Sequence, residues 1–190
     1  MFDCCNDDIQ PIGEIASICR GSSPRPIAKY ITDNPDGVNW IKIGDVSEED
    51  IYITNTQEKI TTEGASKSRY VKPGDFILSN SMSFGRPYIL AIDGCVHDGW
   101  LIISDYENKL DPMFFYYELR SELVQRQFDG SANGSCVKNL NSELVRKVLI
   151  HVPNINKQRE FVVFAEQTDK SKYIWHNALN ANCVGGECYA

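Results

Sequence analysis

Val71-Lys-Pro-Gly-Asp-Phe-Ile-Leu-Ser79 reads as a tight turn running into a strand. Pro73-Gly74 supplies the fixed φ and then the permissive residue of a type II turn, and Phe76-Ile-Leu-Ser79 is apolar and β-prone. Comparable runs lie on both sides. Val38-Asn-Trp-Ile-Lys-Ile43 alternates, with Lys42 outward, and ends at Gly44-Asp45. Ile51-Tyr-Ile-Thr54, Tyr88-Ile-Leu-Ala-Ile92 and Trp100-Leu-Ile-Ile103 complete an expected sheet, with Trp40 and Trp100 in the core. His97-Asp98-Gly99 has the chemistry of a turn between two strands. The first hundred residues are therefore mainly β.

Working outward, Pro11-Ile-Gly-Glu-Ile-Ala-Ser-Ile-Cys19 has Ile12, Ile15 and Ile18 at threefold spacing, which predicts a short helix. Residues 20–37 contain Pro24, Pro26, Pro35 and Gly37 and read as a long irregular loop. Asp111-Pro112 opens a helix, with Asp at the N-cap and Pro at its first position. That helix is expected to run to about Phe128, with Phe115, Leu119, Leu123 and Gln127 on one stripe. Gly130–Ser135 is a loop, Asn141–Arg146 a short helix, and Val148–Val152 a strand closed by Pro153. A last helix begins near Asn156 and ends near Asn180. On it, Phe161, Phe164, Thr168, Ser171, Trp175 and Ala178 form a weak heptad seam. The expected fold is α+β: a β-rich globule with several helices over residues 1–153, a helix able to pack on a partner over 154–180, and a tail over 181–190.

A chain of 190 residues with 42% apolar and 24% charged content has material for one ordinary core and is not wholesale disordered. No run approaches the roughly 18 apolar residues of a membrane span, and the start MFDCCNDDIQ is acidic rather than signal-like. Neither a membrane nor a secretory route is expected. The seven cysteines (Cys4, Cys5, Cys19, Cys95, Cys136, Cys183, Cys188) are odd in number and contain no C-x-x-C pair. They read as reduced thiols of a cytoplasmic protein. Net charge is −7, but unevenly spread: residues 1–19 carry −4, 91–119 carry −5, 20–90 balance, and 120–160 carry +3. A basic face on this acidic chain is permitted.

Most catalytic templates are missing from the sequence, including the G-x-x-x-x-G-K-[ST] phosphate loop, H-E-x-x-H and G-x-S-x-G. Asp93 with Glu107 and Lys109 carries the residue types of a magnesium-dependent nuclease, set against the alternative of a solvated loop. What remains is four polar loops. Ser22, Ser23, Arg25 and Lys29 lie in the first, Lys67 and Arg69 in the second, Asn80, Ser83 and Arg86 in the third, and Asn133 and Lys138 in the fourth. Arg pairs with guanine edges, Asn with adenine, and Ser and Lys with phosphates. The plain alternative is that such residues decorate turns.

The order of these segments resembles a target recognition domain of the specificity subunit of type I restriction–modification enzymes. The resemblance covers about residues 8–170. Its motifs are Gly21-Ser-Ser-Pro-Arg25, Trp40-Ile-Lys-Ile-Gly-Asp45, Ile60–Ser68, Val71–Ser79 running into Phe84-Gly-Arg86, Gly130–Ser135, Leu140–Leu144, Ile150–Pro153 and Lys157–Val162. The resemblance implies a non-catalytic subunit that reads one half of a bipartite double-stranded DNA target through loops. It implies docking to a methyltransferase subunit that modifies adenine and to a restriction subunit that cleaves. S-adenosylmethionine, ATP and magnesium belong to those partners, and none is expected here. Asn80 and Arg86 are the first candidates for base edges. The family pattern has two recognition domains and this chain one, so Phe161, Phe164 and Trp175 are candidates for pairing with a second copy or a second recognition domain. Two other readings stay open: a scaffold with little DNA binding of its own, and the nuclease.

Overall fold

The computed structural model describes residues 9–80, 85–131 and 140–183, with side chains at all of these except 130–131 and 171–183. The chain divides into two compact units between Val152 and Pro153. In the first, the strands are β1 (Ile9–Pro11), β2 (Ser17–Arg20), β3 (Ile31–Thr32), β4 (Val38–Ile41), β5 (Tyr52–Ile53), β6 (Glu58–Ile60), β7 (Arg69–Val71), β8 (Phe76–Ser79), β9 (Pro87–Leu90), β10 (Gly94–Val96), β11 (Trp100–Ser104) and β12 (Leu149–His151). Its helices are α1 (Thr62–Ala65), α2 (Pro112–Leu119), α3 (Glu122–Ser131) and α4 (Ser142–Lys147), and the second unit carries α5 (Ile155–Cys183).

The apolar runs of the sequence become the middle of one five-stranded sheet, ordered β2-β11-β8-β9-β5. β8 is buried at every position between β11 and β9. Its antiparallel register sets Trp100 opposite Ser79 and Ile103 opposite Phe76. A strand buried on both faces needs apolar residues in succession rather than in alternation, which is what Phe76-Ile-Leu provides. The preceding turn has the expected form: Gly74 adopts φ +92°, and Asp75 N–H donates to the Lys72 carbonyl at 3.1 Å.

A second five-stranded sheet, ordered β3-β6-β4-β10-β7, lies against the first. Ile41, Val71 and Val96 from it pack with Ile53, Ile77, Tyr88, Leu90, Trp100 and Ile102 in one buried cluster. Period two then sends the neighbouring residues to the outer faces. Trp40, Ile60 and Cys95 form a separate cluster covered by Ile27, Tyr30, Ile31 and Ala65, from the first loop and α1. On the far side of the other sheet, Phe76, Tyr106 and Phe115 stack with ring centroids 5.0–5.2 Å apart, which seats α2. β1 and β12 pair separately as an antiparallel ribbon.

The structure departs from expectation at several places. Pro11–Cys19 is a 3₁₀ turn at Ile12–Glu14 followed by β2, not a helix, because Ile18 and Cys19 pair with Ile103 and Ile102 of β11. The long loop holds a 3₁₀ turn at Ile27–Lys29 and β3. The helix begun by Asp111, whose carboxylate accepts from the Met113 and Phe114 amides, stops at Leu119. Ser121 starts a new one by accepting from the Val124 amide at 3.3 Å, and the burial stripe shifts from Leu123 to Val124. Gly130 and Ser131 end α3 rather than beginning a loop, while 132–135 fall outside the described residues. The expected short helix is α4, capped by Asn141 through the Leu144 amide.

The two helical sites predict opposite outcomes. Phe115→Ala removes a fully buried ring from the aromatic trio and is expected to cost about 3–5 kcal/mol in denaturant unfolding. Leu123→Ala, 42% exposed, should change stability by no more than about 0.5 kcal/mol.

Candidate nucleic-acid interface

Described residues of the first three polar loops, and Leu140 after the fourth, are far apart in sequence and are linked through the turn His97-Asp98-Gly99 between β10 and β11. The first loop reaches it twice. Ser23 Oγ donates to Asp98 Oδ1 at 3.0 Å, and Arg25 Nη2 donates to Asp98 Oδ2 at 3.0 Å. Arg20 Nε at the end of β2 donates to the Asp98 carbonyl at 2.7 Å. The second loop joins the first: Ser68 donates to the Ser22 carbonyl, Lys67 Nζ donates to the Tyr30 hydroxyl at 2.7 Å, and Thr61 N–H donates to the Tyr30 carbonyl at 2.8 Å. The third arrives through Asn80, whose amide N–H meets the Gly99 carbonyl at 3.1 Å. Leu140, just after the fourth, donates its N–H to the Asn80 carbonyl at 3.1 Å.

Close backbone approach makes this convergence possible. A Cβ on Gly21 would stand 2.2 Å from the His97 carbonyl oxygen, and one on Gly64 would stand 2.7 Å from the Tyr30 Cβ. Only glycine lets the first loop pass the turn, and α1 pass Tyr30, at these distances.

The charged groups are set in pairs. Lys67 lies 2.8 Å from Glu63 and 4.8 Å from the centre of the Tyr30 ring; bonds to Glu63 and Tyr30 push its ammonium up to about 12, so it stays cationic. Lys42 and Glu58 pair at 2.6 Å. Burial alone would raise the Asp98 carboxyl, but the Ser23 hydroxyl, His97 and Arg25 outweigh it and hold the group below the usual carboxylate range. His97 Nδ1 accepts from the Gly99 amide at 2.9 Å, which leaves Nε2, 3.1 Å from Asp98 Oδ1, to carry the ring proton. Beside the turn opens a cleft of about 910 Å³, lined among others by Arg25, Ile31, Trp40, Lys42, Glu58 and Asp98.

Of the expected site residues, Arg25 and Lys29 are exposed on the first loop, Lys67 on the second and Arg69 at the start of β7, the Arg25 side chain at 79%. Ser22 serves through its backbone, donating to the Val96 carbonyl and accepting from Ser68. Asn80 is not presented as expected. It is only 4% exposed, and its side-chain amide donates to the Asp98 carbonyl at 3.3 Å, so the fold consumes the edge that would have read a base. Arg86 is anchored on Glu48, to its carbonyl and, at 3.3 Å, to its carboxylate. Ser83, Asn133 and Lys138 lie outside the described residues. Sequence reasoning missed Asp98 as the hub, and with it Arg20 and Tyr30. Asp98 was legible only as part of a turn, because its partners come from segments distant in the chain.

The residues of the nuclease trace make these contacts. The Asp93 carboxylate accepts from the Tyr70 hydroxyl, whereas Lys109 Nζ donates to Gln10 at 3.1 Å. Glu107 precedes Lys109 in the turn before α2, near Asp75. Among the described residues no group of His, Cys, Asp and Glu is arranged to hold a metal ion, and no helix is long and apolar enough to cross a membrane. Cys95 is buried and Cys19 half-buried, both as free thiols pushed up by burial. On α5, Phe164 is 63% exposed and Phe161 half-buried; Trp175 lies on the same helix, its side chain outside the described residues.

A family model described as the type I restriction modification DNA specificity domain matches residues 7–182. Three solved structures share the fold at 16% identity. One, from work on complex assembly and conformational transition of the type I R-M system, aligns over 95% of this chain and 43% of its own, with a TM-score of 0.74. The HsdS subunit from Thermoanaerobacter tengcongensis aligns over 93% and 41%, with a TM-score of 0.69. The type I restriction–modification S subunit from M. genitalium aligns over 92% and 42%, with a TM-score of 0.56. The chain thus spans about two fifths of the length of these structures.

The Asp98 cluster predicts an acid limb in stability. A carboxyl with a lowered folded value contributes stability that is full above its unfolded value, about 3.9, and is lost as pH falls through the folded one. The stability advantage of wild type over Asp98→Asn should therefore be constant above about pH 5 and shrink toward pH 2, as read by urea unfolding across that range.

Proposed function

This chain belongs to the type I restriction modification DNA specificity family, and from that premise we propose that it is a non-catalytic subunit or half-subunit reading one half of a bipartite double-stranded DNA target. The observation that carries this reading is the convergence of the polar loops on the Asp98 turn, with Arg25 bonded to Asp98 and Lys29, Lys67 and Arg69 exposed on the first loop, the second loop and the start of β7. Arg25, 79% exposed and with guanidinium donors beyond its bond to Asp98, is the candidate for a base edge. Lys29 and Lys67 suit phosphates, which fix register without specifying sequence. Arg86 and Asn80 take supporting places: Arg86 fixes the acidic Ser47-Glu-Glu-Asp50 loop against the start of β9, and Asn80 holds the turn.

The chain carries net charge −7, so the phosphate attraction needed for tight binding is expected to come largely from a methyltransferase subunit. That partner would modify adenine with S-adenosylmethionine, and a restriction subunit would cleave with ATP and magnesium, all in the cytoplasm. α5 would act as the spacer that sets the distance to the other half-site, with Phe161, Phe164 and Trp175 toward a second copy or a second recognition domain.

The test is a genome-wide map of methylated adenine in cells expressing the chain with its methyltransferase subunit, against cells lacking the chain. A new mark in a defined motif is the expected outcome. A palindromic motif means two copies, and an asymmetric one a second recognition domain. The absence of any new mark, with a second recognition domain supplied, sinks the reading in favour of a scaffold. Within a positive system, Arg25→Ala should cost roughly 1–3 kcal/mol of binding and relax one position of the motif. Lys67→Ala should instead weaken all sequences alike and lower the salt slope by about 0.9.

A further inference from the structure

Resting on the DNA reading above, we infer that Asp98 is a positioning residue for Arg25, so that the selectivity of the first loop depends on this carboxylate while its attraction to the DNA backbone does not. Arg25 is a long side chain, 79% exposed, and a free guanidinium at such a site samples many rotamers. Asp98 Oδ2 accepts from its Nη2 at 3.0 Å, and the guanidinium keeps further donors on a side chain that is 79% exposed. Base recognition by arginine is bidentate and therefore geometric, so a guanidinium already fixed in plane loses less on binding than one that must be caught.

The buttress is itself held by several hydrogen bonds. Ser23 Oγ donates to Asp98 Oδ1 at 3.0 Å and accepts the Asp98 amide at 3.3 Å. Arg20 Nε and Asn80 Nδ2 grip the Asp98 carbonyl at 2.7 and 3.3 Å. His97 Nε2 stands 3.1 Å from Oδ1. A carboxylate requires this support to persist on a face turned toward phosphates, where its charge opposes binding. That opposition supplies the contrast. If Asp98 were only a negative charge on the surface, its removal would tighten binding to every duplex. If it positions Arg25, removal trades selectivity for general affinity.

The experiment measures binding of the full chain, in complex with its methyltransferase subunit, to a duplex carrying the mapped motif and to a scrambled duplex. Asp98→Asn is expected to lower the ratio of specific to non-specific affinity by roughly tenfold or more, with the scrambled duplex bound as tightly as before or more tightly. Methylation should spread to sites differing at one base pair. Arg25→Ala should spread it to the same sites, the double variant should add nothing to Arg25→Ala, and Asp98→Glu should restore part of the ratio. An unchanged ratio in Asp98→Asn, or losses from the two positions that simply add, overturns the inference. Should a melting curve show Asp98→Asn unfolded, Arg25→Lys decides: it keeps the charge without the fork, so the ratio must fall, and a retained ratio overturns the positioning role. A wild-type complex with no preference for any duplex defeats the DNA reading itself, whereas a preference that survives in Asp98→Asn defeats only the role of Asp98.

Discussion

Three residues, His97-Asp98-Gly99, carry the chain from β10 in one five-stranded sheet to β11 in the other. So short a connection holds the ends of β10 and β11 close together where the two packed sheets meet, and the loops that reach this end of the molecule share its backbone groups. Several backbone bonds result. His97 N–H goes to the Ile41 carbonyl, Ser22 N–H to that of Val96, Gly21 N–H to that of Trp100, and Asn80 N–H to that of Gly99. A buried backbone group left without a partner costs about as much as a lost hydrogen bond. The loops are therefore held by the same ladder logic that holds the strands. Both tryptophans are buried: Trp100 packs between the two sheets, edge-on to Tyr88, and Trp40, on the outer face of its sheet, stands edge-on to His97.

What could be read from the sequence was what is decided locally. β8 and β11 are apolar in succession, and a run of that kind buries both faces wherever it lands. The Asp111-Pro112 start and the Asn141 cap use side chains acting on amides two or three residues away. The misread elements are those settled by distant partners. Ile12, Ile15 and Ile18 have helical spacing, but Ile18 is claimed by Ile103 and the β2 ladder outweighs the local pattern. β6 and β7 contain charged residues and β10 a glycine. Gly94 is there because a Cβ would stand 2.6 Å from the Asn39 carbonyl oxygen, a constraint that local sequence does not carry. The candidate site divides in the same way. Its loops were recognisable by composition, whereas the burial of Asn80 and the centrality of Asp98 depend on bonds between segments that the sequence keeps far apart.

The charge balance of the convergent loops follows from the same economy of partners. Glu63 faces Lys67, Glu58 faces Lys42, Glu48 faces Arg86 and Asp98 faces Arg25, so each pair places a carboxylate within reach of a cation that could otherwise reach phosphate. Exposed pairs of this kind contribute little to stability, on the order of 0–1 kcal/mol. Their effect lies instead in geometry: a paired cation is held in one place, and its remaining donors point one way. A surface built from such pairs has weak general attraction for a polyanion and strong demands on where acceptors lie. For a module that must ignore nearly all of the DNA it meets, low non-specific affinity is an advantage, because selectivity is a ratio and reducing its denominator is as effective as raising its numerator. The acidic sum of the chain is therefore compatible with the proposed reading of DNA, in which the chain would supply discrimination and a basic partner the hold.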